Sequence, residues 1–290
     1  MRSGTAIAGS ASRPRDPGGV MGSVVGLIPR FLSHLPYDGP MSELDRNVED
    51  EDLALAAELQ SALLPQTCPS CHPHHEAAAK NRMCLGVGGD FYDFLRLNED
   101  QIALLIGDVV GHGVRASLMM AQIMGYLRNE GMRKTSPTQV VAGLNRMLLD
   151  LGERVNDVMP CSLFYGVLDL PSGTCFFVNA GHPWPILCDG VKCRWIGAHD
   201  MLLGVEDFEP AEQCHTFTSG QRLVLYTDGL TDAFNGAGER FGPSRLLDLV
   251  SSALERGADD LAEHVFAEVD AFRAGSASGD DETIVVIDRT

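Results

Sequence analysis

The sequence predicts an α+β protein in which antiparallel sheets pack against helices. Three observations predict it. Apolar, β-rich runs bounded by Gly, Asp or Pro occur at Ile102–Ile106, Leu163–Leu170, Cys175–Val178, Leu223–Tyr226 and Thr283–Ile287. The runs between residues 161 and 228 follow one another with no helical pattern between them, unlike the strand–helix alternation of a doubly wound parallel sheet. Helical periodicity falls into two blocks, one before those strands and one after.

Taken in order, residues 1–45 read as a flexible tail, since 17 of the first 40 are Gly, Pro or Ser. Residues 46–65 read as a lead-in helix. The acids Glu49, Asp50, Glu51 and Asp52 complement a helix N-terminus, Leu55, Leu59, Ala62 and Leu63 recur at helical spacing, and Pro65 ends it. No folded sensor domain is expected upstream of it, since fewer than about 40 residues rarely fold unaided. The helix therefore either packs on its own domain or offers a pairing surface. Residues 66–290 read as the main domain. Its first helical block comprises Ala116, Met119, Ile123 and Tyr126, then Val140, Leu144, Met147 and Leu151 behind an N-cap and first-turn pair, Ser136-Pro137. The second comprises Leu246, Leu249, Val250 and Ala253, then Leu261, Val265, Val269 and Phe272.

Composition narrows the function. The net charge is −18, and residues 1–40 carry +2, so the remainder holds −20. Such a body repels nucleic-acid phosphates. Nothing approaches the roughly 18 consecutive apolar residues of a membrane-spanning helix, and the start carries no compact apolar run of a secretory signal. The eight cysteines form no scaffold pattern, so a cytoplasmic protein with reduced thiols is expected.

The informative pattern is where the aspartates fall. Gly88-Gly89-Asp90-Phe91-Tyr92-Asp93, Gly107-Asp108-Val109-Val110-Gly111-His112-Gly113, Tyr226-Thr227-Asp228-Gly229 and Gly279-Asp280-Asp281-Glu282-Thr283 each set Asp beside Gly at a strand end. Any one is explained by turn chemistry. Four together point to a shared centre for hard divalent cations, because converging carboxylates repel unless metal neutralises them.

These segments, with Leu59-Gln60, Leu63-Leu64-Pro65, Asn179-Ala180-Gly181-His182-Pro183, Leu203-Gly204 and Thr231-Asp232-Ala233, resemble the PPM-type metal-dependent protein serine/threonine phosphatases, in the bacterial SpoIIE/RsbU branch. They occur in family order from about residue 53 to the C-terminus. The resemblance implies an αββα sandwich of two antiparallel sheets flanked by helices, with a two-metal site, Mn²⁺ or Mg²⁺, at one edge. It implies that Asp108 bridges both metals, that the Val109 carbonyl contacts one, that Asp228 and Asp280 complete the second, and that Asp90 holds the first through water. Asp280 is preferred to Asp281 because it lies three residues before the Thr; Asp93, Asp232, Glu239 and His182 are assigned structural or supporting roles. A metal-bridging hydroxide would attack phosphorus directly, with His112 as a candidate general acid for the leaving oxygen.

The implied substrate is a phosphorylated regulatory protein of the anti-sigma-factor-antagonist type. Residues 46–64 and 114–131 would answer to an activator protein or to homodimerisation. Two competing readings are a catalytically silent partner-switching scaffold and a hydrolase of small phosphorylated metabolites. The sequence departs from the family at Cys68-Pro69-Ser70-Cys71-His72, which with His74, His75 and Cys84 has the composition of a structural Zn²⁺ site, matches the haem-attachment pattern, or is a variable loop. It departs also at Trp184, where the family tends to have proline, and it offers no arginine that can be assigned to the phosphate.

Overall fold

In the computed structural model, residues 43–65, 75–134 and 136–290 are described. A lead-in helix α1 (Glu43–Leu63) is followed by β1 (His75–Arg82), β2 (Phe91–Arg96) and β3 (Gln101–Val109). Helices α2 (Val114–Gly131) and α3 (Pro137–Val155) come next. Six strands then run without a helix between them: β4 (Cys161–Asp169), β5 (Thr174–Ala180), β6 (Ile186–Cys188), β7 (Cys193–Trp195), β8 (Gln213–Thr216) and β9 (Arg222–Tyr226). A four-residue helix α4 (Asp228–Thr231), α5 (Pro243–Ser252), α6 (Ala258–Arg273) and β10 (Glu282–Arg289) complete the chain. All five apolar runs are strands, and the four periodic segments of the main domain are α2, α3, α5 and α6.

The strands form two five-stranded antiparallel sheets, ordered β1-β10-β9-β6-β7 and β2-β3-β4-β5-β8. Helices α2 and α3 cover the second sheet and α5 and α6 the first, giving four layers. The alternation of β10 shows how one strand serves two interfaces. Val285 and Ile287 face the opposing sheet, whereas Ile284 and Val286 join Leu261, Val265 and Val269 of α6. Each such fully buried side chain contributes about 1.5–3 kcal/mol over an exposed one.

Local chemistry explains most element ends. Ser136 is the N-cap of α3 and Pro137 opens its first turn, but the Ser136 hydroxyl lies 2.7 Å from Thr138 Oγ1 instead of capping the helix. Asn156 ends α3 in the left-handed region, φ 52°, a conformation its short amide side chain tolerates. The α1 boundaries differ by two or three residues from the expected 46–65, and the expected tail lies, up to residue 42, outside the described residues. Strand β1 was legible neither as strand nor as helix. Its HEAAAKNR sequence has little β propensity, and pairing along all of β10 from His75↔Arg289 to Arg82↔Glu282 decides the conformation.

The cysteines differ from expectation. Cys188 and Cys193 are joined in a disulfide rather than left as thiols. They are register partners across the β6–β7 hairpin, so their side chains leave the same face of the ladder. Cys84, Cys161, Cys175 and Cys214 are free. Among the described residues no helix is long and apolar enough to cross a membrane.

Candidate metal centre

Antiparallel pairing brings the aspartates to one end of the sandwich. Asp90 immediately precedes β2 and Asp108 is the penultimate residue of β3, and the two strands run in opposite directions with Phe91 opposite Gly107. Asp228 follows β9 and Asp280 precedes β10, again an antiparallel pair, with Tyr226 opposite Ile284. Two strand ends from each sheet thus meet along the seam.

The sheets are tied there by hydrogen bonds to Asp90. Its Oδ2 accepts from Thr227 Oγ1 at 2.7 Å and from Thr283 Oγ1 at 2.6 Å, and Thr227 Oγ1 in turn accepts from the Thr283 amide at 2.9 Å. Asp90 is fully buried. Burial raises its pKa well above the usual carboxylate range, the two hydroxyls oppose the rise, and Asp281 and Asp228 add to it. Asp108 is likewise driven well up, by burial first and then by Asp90, Asp228, Asp280 and Asp281. Asp228 is pushed up to about 6 by burial, Asp232 and Asp280. Asp280 also rises, with burial the largest cause, while His112 pulls it down. None of these four carboxylates takes part in a salt bridge among the described residues.

Two glycines let the backbone crowd this end. A Cβ at Gly89 would lie 2.5 Å from the Val109 carbonyl oxygen and 3.0 Å from Asp108 Oδ1, and one at Gly88 would fall 1.8 Å from Asp281 Oδ2. Asp281 uses that room to accept from the Gly89 amide at 2.7 Å and the Cys84 amide at 2.8 Å. It therefore pins the 84–89 loop, and Asp280 is left free of that task. Sequence reasoning assigned no role to Gln60. Its amide bonds the Gly88 peptide both ways, Nε2 to the carbonyl at 2.7 Å and Oε1 from the N–H at 3.0 Å, linking α1 to the loop that carries Asp90.

The remaining expected residues have other surroundings. Asp93 is buried and accepts from Arg128 Nε at 2.6 Å, and the same guanidinium reaches the Leu63 carbonyl at 2.5 Å. Asp232 pairs with Arg240, and Glu239 accepts from Asn235 Nδ2 at 3.0 Å in a surface hairpin. His112 is exposed. His182 is buried with Nδ1 2.9 Å from Ser162 Oγ, and burial and His199 hold its imidazole down at a pKa of about 3. Trp184 meets the His199 ring edge-on. Cys68, Cys71 and His72 of the suggested zinc site lie outside the described residues. Cys84 is half-buried, and burial and Asp281 push its thiol up to about 11.

Among the described residues, no three His, Cys, Asp or Glu side chains close round a single point as metal ligands. The donor set nonetheless fits hard cations. Mg²⁺ keeps several waters and takes only one or two carboxylates. Here buried carboxylates raise one another's pKa, and the Val109 carbonyl and Asp108 Oδ1 share the space a Gly89 side chain would fill.

The family model described as Stage II sporulation protein E (SpoIIE) matches residues 98–290. Among curated proteins, the chain is 27% identical over 278 residues to Protein IcfG of Synechocystis sp., covering 85% of this chain and 43% of that one. It is 26% identical over 206 residues to phosphoserine phosphatase RsbP of Bacillus subtilis, covering 70% and 49%. The chain thus spans about half the length of these relatives. Among solved structures, the SiaA-PP2C domain of Pseudomonas aeruginosa superposes with a TM-score of 0.73 at 22% identity, over 86% of this chain and all of that one. The fold is therefore the PP2C-type αββα sandwich that the sequence resemblance implied.

Proposed function

The chain belongs to the SpoIIE family, and from that premise we propose that it is a metal-dependent phosphatase acting on phosphoserine or phosphothreonine of a regulatory protein. The observation that carries the reading is the meeting of Asp90, Asp108, Asp228 and Asp280 at one end of the two sheets, mutually repelling and without salt-bridge partners among the described residues. Asp108, Asp228, Asp280, the Val109 carbonyl and Asp90 would hold two Mn²⁺ or Mg²⁺ ions. When bound, such ions supply an acidified water as nucleophile and positive charge for the phosphoryl oxygens.

The chain's own residues do the rest. Thr227 and Thr283 hold the Asp90 carboxylate in one orientation and favour its ionised form. Gly89 leaves the Val109 carbonyl uncovered. His112, exposed and lowering the Asp280 pKa, is proposed as the general acid that protonates the departing seryl oxygen.

The substrate is proposed to be a phosphorylated protein of the anti-sigma-factor-antagonist type; the relative named a phosphoserine phosphatase supports phosphoserine as the group cleaved. Regulation is proposed to enter through α1. Leu55 and Leu59 are exposed one turn apart on it, while Gln60 reaches Gly88, so an activator or a second copy on that face would bear on the metal loop.

The test is phosphate release from an aryl phosphate, a phosphoserine protein and small phosphorylated metabolites, each with Mn²⁺, Mg²⁺ and chelator. Metal-dependent release from the phosphoprotein is expected. No release from any substrate would favour the silent scaffold, and release from a metabolite alone would favour the small-molecule hydrolase.

A further inference from the structure

Three consecutive acids at the start of β10 have three different environments. Asp280 faces the carboxylate cluster, Asp281 pins the 84–89 loop, and Glu282 is buried completely, away from solvent and between two arginines. Arg82, its register partner on β1, donates Nε to Glu282 Oε2 at 2.7 Å. The same guanidinium grips Asp270 of α6 with both terminal nitrogens, at 2.9 and 2.7 Å. Arg273, at the end of α6 and itself buried, pairs with Glu282 and donates to Asp270 Oδ1 at 3.1 Å. Ser278 Oγ completes the arrangement by bonding the Asp280 carbonyl at 2.7 Å.

The Arg273–Glu282 contact joins the two stems of the loop 274–281, and Asp280 lies two residues before the second stem. A buried ion network is a poor way to gain stability, because apolar residues of equal volume serve as well or better. What it does provide is fixed geometry at the root of a loop that must present one carboxylate. We propose that Arg82 and Arg273, acting through Glu282, are positioning residues that set the cation affinity of Asp280. The inference rests on the metal reading above.

The experiment is calorimetric Mn²⁺ titration of the full chain, with melting curves, for the parent, Glu282→Gln, Arg82→Lys and the control Asp288→Asn. The control breaks the pair of buried Arg222 with half-buried Asp288 at the opposite end of the same strand. Loss of a supporting partner behind a metal ligand costs roughly 10–100-fold in affinity. Glu282→Gln is therefore expected to weaken Mn²⁺ binding at least about tenfold, and Arg82→Lys to weaken it in the same direction. Asp288→Asn is expected to lower the melting temperature and leave Mn²⁺ affinity unchanged. Parent-like affinity in Glu282→Gln, or an equal loss in Asp288→Asn, would overturn the inference while leaving the metal reading intact. If Glu282→Gln does not fold, parent-like affinity in Arg82→Lys overturns it. A parent chain that binds no Mn²⁺ would overturn the metal reading, and this inference with it.

Discussion

Replacing Gly89 by alanine isolates the role of close backbone approach at the carboxylate cluster. Gly89 does not occupy the left-handed region, so an added methyl group meets steric rather than conformational resistance. The new Cβ would stand 2.5 Å from the Val109 carbonyl oxygen and 3.0 Å from Asp108 Oδ1. Ordinary contact begins near 3.5 Å, so the two segments must part by roughly 0.5–1 Å. Overpacking of that size costs about 1–3 kcal/mol, which the rest of the two-sheet core can absorb without unfolding. The same displacement falls on two proposed ligand atoms, and a misplacement of about 1 Å costs on the order of 100-fold in rate. Gly89→Ala should therefore keep its circular dichroism spectrum, melt several degrees lower, and lose about 99% of Mn²⁺-dependent turnover on a phosphoserine substrate. Turnover within about threefold of the parent at saturating Mn²⁺ would refute the idea that Gly89 holds open the place beside Val109 and Asp108.

Other variants test the same centre from different sides. Asp108→Asn or Asp228→Asn should abolish Mn²⁺-dependent turnover and the Mn²⁺-induced rise in melting temperature. The metal-free melting temperature should not fall, because a repelling buried charge has been removed; retained turnover would contradict the ligand assignment. Thr283→Val leaves Asp90 one donor short, and a hydrogen bond to a charged group is worth about 1.5–3 kcal/mol. Mn²⁺ affinity measured by calorimetry should fall by roughly 10–100-fold as a result, and an unchanged affinity would separate Asp90 from the centre. His182 has its folded-state pKa pulled down to about 3. Between that value and the unfolded-state pKa of about 6.5 the unfolded chain takes up a proton that the folded one refuses, so the stability it contributes is lost as pH falls. The stability advantage of the parent over His182→Gln in denaturant melts should accordingly shrink from pH 7 to pH 4, and a constant gap would show that folding does not lower the His182 pKa.

What was legible in the sequence follows from how local each signal is. Thr283–Ile287 is a continuous β-branched run and Leu163–Leu170 a mostly apolar one carrying Phe164 and Tyr165, the mark of strands buried on both faces, and both became central strands. Strand β1 carries no such mark: its Ala77, Ala78 and Ala79 are small enough for an edge strand lying under α6 and facing the second sheet, a choice made by packing. Strands β6, β7 and β8 span three or four residues, too few for a periodicity to register. The aspartates stood out because Gly flanks each of them. Their supports did not, since Gln60 lies 28 positions from Gly88 and Thr283 lies 193 from Asp90. The two threonines, each adjoining an acidic motif, were the available clue. The Cys188–Cys193 bond was hidden by a general argument about compartments, where the hairpin register is what places the sulfurs together.

The Asp90 bonds to Thr227 and Thr283 have one more consequence. Since acceptor and donors come from opposite halves of the sandwich, sliding one half across the other severs them before any strand has to unzip. The centre then works as a strain gauge for the seam: under rising urea, the affinity for cations should fade while the far-ultraviolet signal of both sheets is still whole.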